Sequence, residues 1–281
     1  MRFPVLFALL TLVILGGYSA AQEDERPDLS LPEPKKTEEK RAAFSLPEPT
    51  KAQENLGYFT VSAVLYNHSQ ENIDRQSSAL PELADFFRAK TNHKIETRLR
   101  LNERRLGDKS MRASNMLFMT GSVAVIQVSD YEKKFLGEYL RDGGFIFAED
   151  IQGSSGRRGG GGGGVEGTPF DRQFKALLAD PQVLGAAGRQ WRQVSNGHPL
   201  YKSFFDFPSG PPLARVQGGN IDYLETLELR GRIVAVFSDL CISRGWGDPE
   251  APSRERDLQF GTNLLVFAMA ERAAGTPMLS R

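Results

Sequence analysis

Cysteine is all but missing from this chain: one, Cys241, stands among 281 residues, so no internal disulfide can form. Histidine is nearly as scarce. Only His68, His93 and His198 occur, with no His-x-x-x-His pair and no paired cysteine, which argues against a structural zinc site. No Gly-x-Ser-x-Gly elbow offers a serine nucleophile, and no Gly-Lys-Ser/Thr follows the glycine-rich stretch to complete a phosphate loop. An excess of either charge is also absent: 35 Lys+Arg face 35 Asp+Glu, so no overall field draws the protein to nucleic acid. What is left to interrogate is a set of carboxylates, one histidine in a turn and one thiol.

One apolar run near the start is long. Arg2 precedes Val5–Leu15, and Gly-Gly-Tyr-Ser-Ala-Ala follows, with Ser19 and Ala21 as the small residues before a cut near Gln22. Residues 1–21 therefore read as a secretory signal peptide, and the protein is expected to be periplasmic or secreted in a bacterium. The other reading is a retained anchor; the run is slightly short for a membrane helix of about 20 residues, and membrane contact is expected only if it is retained. Residues 22–56 are rich in Glu, Lys and Pro and contain Ser-Leu-Pro-Glu-Pro twice, at 30–34 and 45–49. Such a composition cannot bury a core and reads as a disordered tether, with a partner-docking motif as the alternative use of the repeat.

From residue 57 to 281 the pattern alternates between strand and helix, enough chain for one α/β domain. Tyr58–Tyr66 is a β-rich run. Ser77–Lys90 carries Leu80, Leu83, Ala84 and Phe87 at helical spacing, and Lys94–Leu101 alternates Ile95, Thr97, Leu99 and Leu101 with charged residues. Met116–Thr120 reads as a strand, Asp130–Leu140 as an amphipathic helix ended by Gly143, and Phe145–Ala148 as a buried strand. Phe170–Leu178 is helical, Glu225–Asp239 is two strands joined at Arg230-Gly231, and Asp257–Arg272 closes the pattern as an apolar helix. Strands joined through helices predict a mostly parallel sheet covered on both faces, with ligands beyond the strands' carboxyl ends.

The residues at those ends are the candidates: Asn67 and His68, Thr120 to Ser122, Glu149 and Asp150, and Ser238 to Leu240. Adjacent strand residues point to opposite faces, so only one of Glu149 and Asp150 can face a given side. A crevice-facing carboxylate can act as base, oxygen ligand or hydrogen-bond acceptor; a turn-capping Asp150 and a salt-bridged Glu149 are the structural readings. Asp171 opens a helix as an ordinary first-turn acid or as a ligand contact. His198, in Asn196-Gly-His-Pro-Leu-Tyr, is either an acid/base or the fastening of a loop, and the structural role is favoured. Asp239 with Arg244, Trp246 and Asp248 suggests an aromatic plate on a charged rim, and Asp206 ends an aromatic cluster. Cys241 reads as a small buried apolar residue. The glycine-rich loop 153–167, with six glycines at 159–164 after Arg157 and Arg158, reads as a flexible surface insertion, or as a lid that would favour anionic ligands if it closed.

The succession Met119-Thr-Gly121, Tyr139-Leu-Arg-Asp-Gly-Gly144, Phe145-Ile-Phe-Ala-Glu-Asp150, Phe170-Asp-Arg-Gln-Phe174, His198 through Phe207, Ala235-Val-Phe-Ser-Asp239, Gly245-Trp-Gly247 and Gly261 through Ala268 resembles the bacterial domain of unknown function 4159 family, from about Phe59 to Met269. That family is similar to the class I glutamine amidotransferase-like superfamily. The resemblance implies a three-layer α/β/α sandwich of flavodoxin-like type, with a mostly parallel sheet, and it does not imply amidotransferase activity, because the nucleophilic cysteine's place is held by Glu149 and Asp150. After Gly121 this chain reads Ser122-Val123 where the family pattern has a His-Gly-like turn, and its glycine tract is longer. The expectation is an exported, non-catalytic domain that binds a ligand or a protein partner in the cell envelope, without metal, cofactor or nucleic acid. The alternative is a hydrolase-like enzyme using Asp150, His198 and Asp239, with or without an oxygen-ligated metal.

Overall fold

A computed structural model describes residues 58–66, 79–91, 98–121, 125–151, 167–213 and 221–275. The signal-peptide and tether readings, Ser122, Asn67, His68, His93 and all of the glycine-rich loop but Gly167 lie outside the described residues. All described residues belong to a compact unit spanning 49–281.

Seven strands form one sheet in the order β2-β1-β3-β4-β7-β6-β5. They are β1 (Tyr58–Leu65), β2 (Arg98–Arg105), β3 (Met116–Gly121), β4 (Phe145–Asp150), β5 (Trp191–Gln193), β6 (Glu225–Leu229) and β7 (Arg232–Ser238). β2, β1, β3, β4 and β7 run parallel, while β6 pairs antiparallel with β7 and β5 antiparallel with β6. The β6–β7 turn is made by Arg230 (φ 54°) and Gly231 (φ 77°), the two left-handed positions that a two-residue type I′ hairpin requires. The described part of β2 begins at Arg98 and extends four residues beyond the expected Leu101. It stands at the end of the strand order, and its exposed arginines suit an edge that must not recruit another strand.

The five helices are α1 (Ala79–Thr91), α2 (Asp130–Arg141), α3 (Pro169–Ala179), α4 (Ile242–Gly247) and α5 (Arg254–Gly275). α2 starts in a capping box, Ser129 with Glu132, and α3 starts with Thr168 as N-cap followed by Pro169, whose missing N–H costs nothing in a first turn. β5 and α4 carry no periodic signal. Trp191-Arg-Gln193 is too short to show alternation, and Ile-Ser-Arg-Gly-Trp-Gly has two glycines and reads as a loop.

Strand alternation distributes the core between two apolar clusters. Phe59, Val61, Phe118, Phe145, Phe147 and Val236 meet side chains of α1, α4 and α5, including Leu83, Phe87, Trp246, Phe260 and Leu264. Leu117, Met119, Ile146, Ala148, Ala235 and Phe237 meet side chains of α2 and α3, including Phe135, Leu136, Phe170 and Phe174. Each such buried aromatic or branched residue contributes about 1.5–3 kcal/mol relative to exposure. The same parity continues into the polar residues at the carboxyl ends and decides which of them can meet.

Candidate functional site

On β4 the odd residues, Phe145 and Phe147, face α4 and α5, so Glu149 faces that side too; Ile146, Ala148 and Asp150 face α2 and α3. On β7 the phase is reversed. Ser238 joins Glu149, and Asp239, just past the strand, follows Ala235 and Phe237 toward α3.

Glu149 is fully buried and has no basic neighbour among the bonds it makes. Its Oε1 accepts from the Ser238 hydroxyl (2.7 Å) and the Ile242 amide (2.7 Å), and its Oε2 accepts from the Ser243 amide (2.7 Å). This corrects the salt-bridge reading: Glu149 fastens the first turn of α4 to the sheet. Burial lifts its pKa to about 7, against the pull of those donors. Between β7 and α4 stands Cys241, in the left-handed region (φ 57°) and 2 % exposed, with Sγ 3.7 Å from the Ile151 carbonyl oxygen. A strand, a left-handed residue and a helix make the outline of a nucleophile elbow. The amides of residues 242 and 243, which such an elbow would turn on an oxyanion, are both taken by Glu149.

The opposite face of the same edge carries a cluster of acids. Asp150 accepts a hydrogen bond from the hydroxyl of Thr168, the N-cap of α3. One turn on, Asp171 is 3 % exposed and accepts from the Gly167 amide (2.8 Å), and its Oδ1 lies 2.8 Å from Nζ of Lys175, its i+4 neighbour. Lys175 also pairs with Glu225, the first residue of β6, brought to this edge because β6 runs antiparallel to β7 with Glu225 opposite Phe237. The lysine ammonium lies 5.1 Å from the centroid of Phe237 and 5.8 Å from that of Trp191. Its pKa is raised: burial opposes the charge, but the hydrogen bonds to Asp171 and Glu225 outweigh it.

Asp239 completes the group. It is 5 % exposed, and its Oδ1 is buried with no hydrogen-bond donor among the described residues. Burial first, then the neighbouring negative charges of Asp171 and Asp150, push its pKa up to about 8. One carboxylate oxygen from each of Asp171, Glu225 and Asp239 lies within 4.8 Å of the other two. Three carboxylates thus gather near one ammonium, with the charge of Asp150 felt at Asp239, an arrangement that can hold a cation or keep a proton on Asp239 near neutral pH.

Asp150, Asp171 and Asp239 therefore come together, but His198 does not join them. Its Nδ1 accepts from the Leu200 amide (3.2 Å) at the start of a short 3₁₀ turn, and its ring lies 5.5 Å from that of Phe267. Phe267 meets Phe145 at the first residue of β4, the strand end opposite Asp150. Burial lowers the imidazole's pKa, and the loop-fastening reading describes what it does. Trp246 is wholly buried, its ring tilted against Phe118 and Phe147 and its Nε1 donating to the Asp257 carbonyl (2.8 Å), so it forms no plate on a rim. Asp206 is exposed beside α5, where its carbonyl accepts from Arg256. Gly121 pairs with Asp150 across β3 and β4, but a side chain there would overlap the Phe170 ring and the Tyr66 hydroxyl; its role is close packing.

Sequence reasoning missed Lys175 and Glu225. The first was within reach, as the i+4 partner of Asp171 on a helix; the second depends on strand pairing that no local pattern announces. A separate cavity of about 720 Å³, lined by Ile126, Val128, Ser129, Lys133, Gln173 and Asp180 among others, opens between α2 and α3. Lys133 there is held by Asp180 at 2.9 Å.

A mostly parallel seven-stranded sheet packed by helices makes this an α/β protein. The family model "Domain of unknown function (DUF4159)" matches residues 60–269, and the chain belongs to that family. No curated protein matches it.

Proposed function

We propose that this protein is an exported binding domain that captures a positively charged ligand at the acidic cluster of Asp171, Glu225 and Asp239, with Asp150 beside it. The observation that carries this reading is the Asp239 carboxylate: 5 % exposed, one oxygen without a donor, and surrounded by acids that only Lys175 offsets. A buried carboxylate without a partner costs stability, and a site that keeps one is poised for a partner that arrives from outside. The hydrolase reading is weaker. It loses its histidine to the far end of β4, and Cys241 has its adjoining amides committed to Glu149.

The strand order 2-1-3-4 with a fifth parallel strand, and helices contacting both faces, support a three-layer α/β/α sandwich of flavodoxin-like type. The leader-like residues 1–21 and the Pro-rich 22–56 support a periplasmic or secreted setting in which a tether carries the domain.

The test is thermal denaturation of the full chain against organic ammonium and guanidinium compounds and against metal ions. At least one cation class should raise the melting temperature of wild type and fail to do so for Asp239→Asn. If no cation stabilises the wild type, or if the variant responds equally, the reading is wrong.

A further inference from the structure

Resting on that reading, we infer that the cation the cluster takes is a hard divalent metal ion, calcium foremost, ligated by Asp171, Glu225 and Asp239 in exchange for the Lys175 ammonium. The donor set is all carboxylate oxygen, with no imidazole or thiolate within the group, which selects alkaline-earth ions over zinc or copper. Size agrees. Calcium binds oxygens at roughly 2.3–2.6 Å, so two ligands on its coordination sphere stand at most about 4.6–5.2 Å apart. The three oxygens lie within 4.8 Å of one another, close enough for small side-chain adjustments to bring them onto one such sphere. Magnesium at roughly 2.0–2.1 Å needs all separations under about 4.2 Å and near-octahedral angles, a stricter demand on three residues from three different elements.

An acidic cluster on a protein surface would mean little. Here Asp171 and Asp239 are 3 % and 5 % exposed, and Oδ1 of Asp239 is buried with no donor among the described residues. Lys175 pairs with Asp171 and Glu225 and does not serve that oxygen. A single ammonium offsets one charge among three acids; a divalent ion at their centre would ligate all three and take its remaining ligands from water. The lysine can leave, because its ammonium is held by side chains and ring faces, Asp171, Glu225, Phe237 and Trp191, at the end of a flexible four-carbon stem.

The exchange makes opposite predictions for two neighbours. Calorimetric titration of metal-free full-length protein with calcium chloride should show saturable binding of one ion, in the range of extracellular modules, about 10⁻⁴–10⁻³ M. Asp239→Asn should weaken it at least roughly tenfold, and Lys175→Gln, which removes the competing ammonium, should strengthen it roughly tenfold. Terbium used in place of calcium should luminesce on excitation of the indole of Trp191, which lies 5.8 Å from the ammonium the ion replaces, and Trp191→Phe should abolish the emission while leaving calcium binding intact. A wild type and a Lys175→Gln variant that both fail to bind calcium up to about 10 mM, ten times the upper end of that range, would overturn the inference, as would binding that Asp239→Asn leaves unchanged. Failure with calcium alongside stabilisation by an organic ammonium would remove the metal and leave the cation-binding reading standing.

Discussion

At the scale of the residue, two buried carboxylates at the ends of neighbouring strands, facing opposite sides of the sheet, have opposite fates. Glu149 spends its oxygens on Ser238 and the amides of Ile242 and Ser243, so it is a structural fastening. Glu149→Ala should destabilise the fold by about 3 kcal/mol, since two buried amides and a hydroxyl lose their acceptor, and urea denaturation would measure it. Asp239 has no such return. Its pKa of about 8 in the fold against 3.8 in an open chain means the folded state holds the extra proton, so stability falls as pH rises from about 4 to 8 and levels off above. Glu149, at about 7, adds the same sign, while His198, with a lowered pKa, acts oppositely only below about 6.5. Melting temperatures should therefore drop between pH 6.5 and 8 in wild type, and the drop should be smaller in Asp239→Asn. A variant with the wild-type slope would show that Asp239 is ionised throughout. Glu149 and Asp150 were visible in the sequence as a pair with opposite orientations; which one faced which partners was not, because that depends on what packs against each face.

At the scale of the element, the informative contact is that of β3 with α3. Gly121 lies against the Phe170 ring and the Tyr66 hydroxyl, which donates to the Thr120 carbonyl (2.6 Å), so the space between β1 and β3 beyond their ends is filled by aromatic rings. Gly121→Ala should cost about 2 kcal/mol by overpacking and shift the thermal midpoint downward. A neutral substitution would mean that α3 moves away readily. α2 and α3 were readable from helical spacing, from Gly143 beyond the first and from Asp171 in the first turn of the second, because these signals are local; their N-caps, Ser129 and Thr168, came with the structure. α4 was not. Its six residues hold a helix because Glu149, ninety-odd positions upstream, accepts its first amides.

At the scale of the whole molecule, all described residues lie within the 49–281 unit, and residues 22–56 have the composition of a chain that buries nothing. A protein lacking residues 1–56 should unfold in one transition at the same temperature as the full chain, measured by circular dichroism. A lower midpoint would mean that the Pro-rich segment packs on the domain. The amino-acid sequence by itself determined the family, the alternation of strands and helices, the hairpin at Arg230-Gly231 and the carboxylates that end the strands, because periodicity, caps and turn chemistry act over a few residues. Only the tertiary structure decided that Glu225 and Lys175 join Asp171 and Asp239, that His198 stays apart and that Trp246 is core. Those outcomes depend on the antiparallel return of β6, on the face to which strand parity assigns each side chain, and on which helix covers that face.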